Sequence, residues 1–245
     1  MKKISILIIM FGLFQFSRAQ NLTFYGFLPA ISHTGRISDR VDYNFFGSTT
    51  VDAFKSTIKG TEYPAKDLQL YIQPSIVYKF SPDFNTSFSY TYQRNNPLTK
   101  DYSNEHRIWE QFIYARSFSK FRFTNRVRFE QRFIENMEAK TYPLSTRLRY
   151  QLGLNFPLQG KTLEKNEFYF NAYNEFYFSL TGVKNATYSE NWTYAGVGYD
   201  LGDAGRLELG YLLQMAVRDS EKDIRMLNLC QVTWSSNFNF GRRKN

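Results

Sequence analysis

The chain has 245 residues, with 31 Lys or Arg against 22 Asp or Glu and a formal charge of +9. Its mean hydropathy is −0.47 although 18% of residues are aromatic, 24 Phe and 18 Tyr among them. One Cys and two His exclude an intrachain disulfide and a zinc-type ligand set, and with no Pro/Gly-rich linker the chain reads as one domain.

Lys2 and Lys3 precede an apolar run from Ile4 to Phe16, and Ser17-Arg18-Ala19 sets small residues at −3 and −1. This predicts a signal peptide over 1–19, cut after Ala19, and a single domain over 20–245. The run is too short to cross a bilayer comfortably, and no second long apolar run follows. Removing Lys2, Lys3 and Arg18 lowers the charge from +9 to +6. An exported basic chain rarely meets nucleic acid, so its charges are expected in a lumen or beside lipid head groups.

Further along, hydrophobicity follows a period of two, the signature of strands with one apolar and one polar face. The predicted strands, in chain order, are 36–46, 68–80, 84–94, 107–118, 121–133, 147–156, 167–179, 190–201, 206–218 and 224–240. In 121–133, Phe121, Phe123, Val127, Phe129 and Phe133 share one parity, and Arg122, Arg126, Arg128, Glu130 and Arg132 share the other. Leu148, Tyr150, Leu152 and Leu154 likewise oppose Arg147 and Arg149, and Leu207, Leu209, Tyr211 and Leu213 oppose Arg206 and Glu208. The segment 107–118 is blurred, because Glu110 shares parity with Ile108, Phe112 and Tyr114.

Tight turns are predicted at Ser81-Pro82-Asp83, Ser119-Lys120 and Gly202-Asp203-Ala204-Gly205, alternating with longer polar stretches near 47–67, 95–106, 134–144 and 180–190. Strands with a crowded aromatic face, no helical span and alternating short and long connections predict an all-β protein. The expected fold is a transmembrane antiparallel up-and-down β-barrel of about ten strands, apolar side outward, in a Gram-negative outer membrane. An even strand number would leave both ends in the periplasm. The competing reading is an exported soluble sandwich or lipocalin-like barrel with the apolar face inward.

The candidate lumen charge network is Arg122, Arg126, Arg128, Glu130, Arg132, Arg147, Arg149, Glu175, Arg206 and Glu208. Charges in a narrow barrel must pair or stay wet, so this set reads as a structural lattice or as the constriction of a porin-like channel for a small solute. His106, beside Glu105 and Ser103 at a loop, is the candidate for an alternative, lipid-modifying chemistry; His33 is the other histidine. No catalytic set, cofactor or metal is predicted: phosphate loop, zinc spacing and nucleophile elbow are lacking, and Asp219 to Asp223 misses the calcium-loop spacing. Cys230 reads as a small wall residue. Expected partners are outer-membrane lipids (lipopolysaccharide and phospholipid) and the barrel-assembly machinery.

The ordered landmarks Arg126-Val-Arg-Phe-Glu-Gln-Arg-Phe133, Arg147-Leu-Arg-Tyr-Gln-Leu-Gly-Leu154, Asn171-Ala-Tyr-Asn-Glu-Phe176, Glu190-Asn-Trp-Thr-Tyr-Ala-Gly196 and Leu207-Glu-Leu-Gly-Tyr211 resemble the domain-of-unknown-function 2490 family. The resemblance covers roughly 105–218 and implies an outer-membrane barrel of the kind common in Bacteroidota, without bringing an activity. Its motif positions here are Arg128, Glu130, Arg132, Arg149, Asn174 and Glu175. One departure is that the last aromatic, Phe240, is followed by Gly-Arg-Arg-Lys-Asn rather than ending the chain. The remaining reading is an accessory barrel whose loops dock another envelope protein.

Overall fold

A computed structural model describes residues 22–58, 61–160, 162–182, 186–217 and 224–237. The predicted signal peptide, the acidic run 219–223 and the end of the chain from Phe238 lie outside the described residues. The strands are β1 Leu22–Arg36, β2 Val41–Asp52, β3 Ser56–Ile58, β4 Thr61–Tyr63, β5 Lys66–Lys79, β6 Phe84–Asn95, β7 Ser103–Ser117, β8 Arg122–Ile134, β9 Leu144–Pro157, β10 Phe168–Thr181, β11 Tyr188–Asp200, β12 Arg206–Val217 and β13 Ile224–Ser236. Eleven of them close into a barrel; β3 and β4 form a separate hairpin between β2 and β5. Among the described residues no helix is long and apolar enough to cross a membrane.

Each barrel neighbour is antiparallel except one pair: β1 runs parallel to β13, from Leu22↔Arg225 to His33↔Ser236. Nine of the ten predicted strands coincide with barrel strands, the tenth, 36–46, is displaced because 37–40 is a turn and β2 runs Val41–Asp52, and β1 is the addition to the barrel. It escaped the period-two reading because its inward residues Leu22, Phe24, Leu28 and Ala30 are as apolar as its outward Tyr25, Phe27 and Ile31. It also carries Pro29, tolerated because the ladder to β2 lapses at Leu28 and Pro29. At Gly26 the backbones close in: a Cβ would lie 1.8 Å from the Val51 carbonyl oxygen. An odd strand number overturns the expectation that both ends share one side. β1 starts at the end carrying the loops 53–65, 96–102 and 135–143, whereas β13 finishes at the end carrying the turns 37–40, 80–83, 118–121 and 201–205.

Burial is inverted relative to a soluble barrel. On β8 Val127 and Phe129 are exposed while Arg128 and Glu130 are buried; on β7 Ile108, Phe112 and Tyr114 are exposed while Glu105, Arg107 and Gln111 are buried. Glu110 is explained without a bulge. The β7–β8 register is unbroken from Glu105↔Ile134 to Ser117↔Arg122, so Glu110 truly faces outward, where Gln131 on β8 donates to it at 3.2 Å. The outer wall holds a second self-satisfied pair, Asn174 and Asn191, whose amides bond reciprocally at 3.1 and 3.0 Å.

Inside, β1, β12 and β13 contribute an apolar cluster of Leu28, Ala30, Leu212, Leu227 and Leu229 with Tyr194 of β11. Tyr194 lies flat on the inner wall over Gly196 and Gly210, where a Cβ would come within 2.2 and 2.4 Å of its hydroxyl.

Cys230, in no disulfide, reports on the seam because it is opposite Phe27 across the parallel pair, and both face outward. Oxidation of the Phe27→Cys variant is expected to give an intrachain disulfide, visible as a reducible mobility shift. Tyr25→Cys and Pro29→Cys, two positions away, are expected to crosslink poorly. Equal crosslinking at all three positions, or none at 27, contradicts the parallel register.

Candidate functional site

The cluster arises from strand register. The ladder β8–β9 sets Arg128 opposite Arg149 and Glu130 opposite Arg147; β7–β8 sets Arg107 opposite Arg132 and Trp109 opposite Glu130. Since inward residues repeat every second position, five adjacent strands, β7 to β11, project their charges into one half of the lumen, nearer the loop end.

Carboxylates are shared between guanidiniums. Glu130, 0% exposed, accepts from Arg147 Nε at 2.8 Å and from Arg149 Nη1 at 2.8 Å, with Arg128 Nη1 at 3.8 Å. Glu175 receives Arg149 through two parallel bonds of 2.8 Å, Arg126 Nη2 at 2.7 Å and the Tyr177 hydroxyl at 3.1 Å. Glu105 holds Arg132 at 2.6 and 3.0 Å and also Arg107, which bonds Gln93 as well. Glu190 takes Arg147 Nη1 at 2.9 Å. Aromatic rings back the cations: Arg128 stacks 3.8 Å from the Trp109 centroid, and Arg149 and Arg147 lie 4.4 and 4.9 Å from that of Tyr177. Bidentate pairing and ring stacking are properties of Arg that Lys does not reproduce.

The pairing is uneven. Six arginines (107, 126, 128, 132, 147 and 149) meet four glutamates (105, 130, 175 and 190), leaving two positive charges over within the cluster. Among the described residues Arg128 hydrogen-bonds only the neutral Gln111 carbonyl oxygen, at 2.8 and 3.1 Å. Arg126 keeps a buried Nε with no hydrogen-bond partner among the described residues.

Of the residues predicted for this network, Arg126, Arg128, Glu130, Arg132, Arg147, Arg149 and Glu175 come together. Three do not. Arg122 and Arg206 stand at the turn-end mouth, the latter paired with Asp200 at 3.0 Å and half exposed, because the strand ends reach past the enclosed section. Glu208 faces inward but belongs to a tyrosine set, accepting from Tyr194 at 2.7 Å and Asn171 at 3.2 Å. Glu105, Arg107 and Glu190 were missed, though their inward parity was legible once Glu110 is accepted as outward-facing.

The histidines face the other way. His106 is on the outer wall at the loop end, bonded to the Tyr90 hydroxyl at 2.5 Å and beside the rings of Tyr92 and Tyr142. Glu105 and Ser103 point inward, so the sequence neighbours do not assemble around it. His33, also outward, bonds Ser236 at 2.9 Å and Tyr43 at 3.1 Å near the turn end. Among the described residues no group of three His, Cys, Asp or Glu could hold a metal ion.

The arginine wall and the apolar wall face each other across a cavity of about 690 Å³. It extends from Asp52, Lys66 and Asn95 at the loop end down to Phe46, Arg126, Gln151 and Tyr173 about midway along the strands. Arg126 and Gln231 reach slightly past the middle, while Ala115, Asn155, Asn171 and Glu208, nearer the turn end, do not line it.

The model of a family described as "Protein of unknown function (DUF2490)" matches residues 29–225, a span that takes in the whole charge cluster. No curated protein and no solved structure matches the chain.

Replacing Glu130 by Gln keeps the shape but removes the buried charge shared by Arg147 and Arg149, leaving them one carboxylate each, Glu190 and Glu175, and leaving Arg128 without a near carboxylate. The variant is expected to lose about 3–5 kcal/mol of stability, read as a lower urea midpoint for the folded gel band. Arg122→Gln, at the open mouth, is expected to stay within about 0.5 kcal/mol. A Glu130→Gln barrel as stable as the parent refutes the lattice as a stabilising unit.

Proposed function

The chain belongs to this family of unknown function, and we propose that it is an outer-membrane β-barrel whose lumen is a fixed, non-conducting chamber rather than an open pore. The observation that carries the membrane reading is the outer wall. Large apolar side chains stand exposed on strand after strand: Phe27, Ile31, Ile76, Phe88, Phe112, Phe129, Val197, Leu209 and Val232. A soluble protein would leave that surface wetted at a large cost, whereas lipid covers it.

Two aromatic belts bound this surface. At the turn end, rings follow one another around the wall: Phe80 to Phe84 at 5.4 Å, Phe84 to Phe112 at 6.3 Å, Phe118 to Phe121 at 4.8 Å, Phe121 to Phe156 at 5.8 Å and Phe156 to Phe170 at 6.4 Å. At the loop end, Tyr90, Tyr92, His106 and Tyr142 form a second patch. Girdles of this kind mark the interfaces of membrane barrels. Phospholipid and lipopolysaccharide are then the immediate partners, with delivery by the barrel-assembly machinery after removal of the signal peptide.

The chamber reading rests on how the arginines are tied down. Each of the shared carboxylates clamps its guanidiniums to the β7–β11 wall, and the cavity stops near mid-barrel. A non-enzymatic role fits the placement of His106 among tyrosines on the outer face, apart from Glu105.

Purified protein run with and without boiling is expected to change mobility as closed barrels do. In planar bilayers the unboiled form is expected to give no steady conductance. Sustained ohmic steps would replace the chamber with a channel, and absence of the heat-modifiable band would remove the barrel from the membrane.

A further inference from the structure

The geometry points to a ligand for the chamber: a single-chain amphiphilic anion, with its head on Arg126 and Arg128 and its acyl chain along the apolar wall of β1, β12 and β13. The inference rests on the closed chamber proposed above and names what fills it.

Three observations converge. The first is surplus charge in a confined place. The cluster holds two more arginines than glutamates, and the two least compensated, Arg126 and Arg128, both line the cavity. Among the described residues Arg126 has one carboxylate bond, Nη2 to Glu175 at 2.7 Å, and a buried Nε without a partner, and Arg128 is bonded only to an amide oxygen, with a carboxylate at 3.8 Å. Donors of this kind are completed by a carboxylate or phosphate oxygen.

The second is the opposite wall. The half-buried Phe24, Phe46 and Leu68 line the same cavity and pack over the buried Leu28, Leu212 and Leu227. A lumen facing water is ordinarily polar, so these half-exposed apolar side chains, kept wet, work against folding unless a hydrocarbon covers them. The third is size. A volume of about 690 Å³ is in the range of small-molecule sites and exceeds what a hydrated inorganic anion needs. A hydrophilic anion leaves Phe24, Phe46 and Leu68 wet; a neutral lipid leaves the arginines unmet. One molecule with a charged end and one chain satisfies both walls, entering from the loop end where the cavity opens.

Carboxylate and phosphate heads share this chemistry, and the test separates them. Full-length mature protein is reconstituted in phosphatidylcholine nanodiscs and titrated with dansyl-undecanoate, whose emission is excited through Trp192 on the cavity wall. Saturable binding near one probe per barrel is expected, displaced by palmitate or hexadecyl phosphate. Hexadecanol and inorganic phosphate are expected to displace it at least tenfold less well. The stronger of the two displacing heads identifies the source.

Arg128→Gln and Arg126→Gln are each expected to weaken palmitate by about tenfold, while Leu68→Gln lowers affinity for palmitate more than for octanoate. Because the series on unaltered protein stands without any variant, misfolding of a substituted chain does not rescue the idea. Absence of saturable binding, or equal displacement by hexadecanol, overturns it. Conductance and gel mobility report on the chamber separately, so a closed barrel that binds nothing refutes only the ligand.

Discussion

The interior depends on one kind of interaction, a carboxylate held between two guanidiniums in a space with little water. Glu130 between Arg147 and Arg149 is the clearest case. Isolated, any of these charges would be expelled or neutralised; shared across three strands, they can remain. The arrangement also binds register to chemistry. A slip of β8 by one residue would turn Arg128 and Glu130 to the outer wall, away from Arg147 and Arg149, and bring Phe129 inside. The ion lattice and the apolar exterior therefore select the same alignment from opposite sides of the sheet.

The lumen is divided lengthwise into two surfaces of different character. Strands β7 to β11 contribute arginine, glutamate and the rings that back them, while β1, β12 and β13 contribute leucines. Tyrosines mark the border. Tyr173 stacks on Tyr194 at 5.0 Å, and Tyr194 turns its hydroxyl to Glu208 below the cavity. A barrel built only for support would have no evident need of this asymmetry, which is why the chamber invites a ligand.

Much of this was legible in the sequence wherever the two faces differ in chemistry. Residues 121–133 declare both faces, and their arginines fell where expected. β1 was hidden because a strand that is apolar on both faces over Leu22 to Ile31 shows no alternation there. Arg122 and Arg206 show the other limit. Parity says which way a side chain points but not how far along the barrel it stands, and at a mouth the inward direction leads to solvent. Glu110 obscured its own strand because its partner, Gln131, lies on the neighbouring one, a contact no linear pattern can display.

The parallel seam bears on how the molecule can be made. His33 and Ser236, bonded across it, are 203 positions apart, so joining the two outermost edges closes the longest loop in the barrel. Until that moment β1 and β13 each present unpaired amides and carbonyls to any passing strand. Loop-closure entropy makes so distant a contact slow to form. The last hydrogen-bonded ladder to zip is thus the step at which an unfinished sheet is most vulnerable, and an assembly factor that shields a free edge would act there.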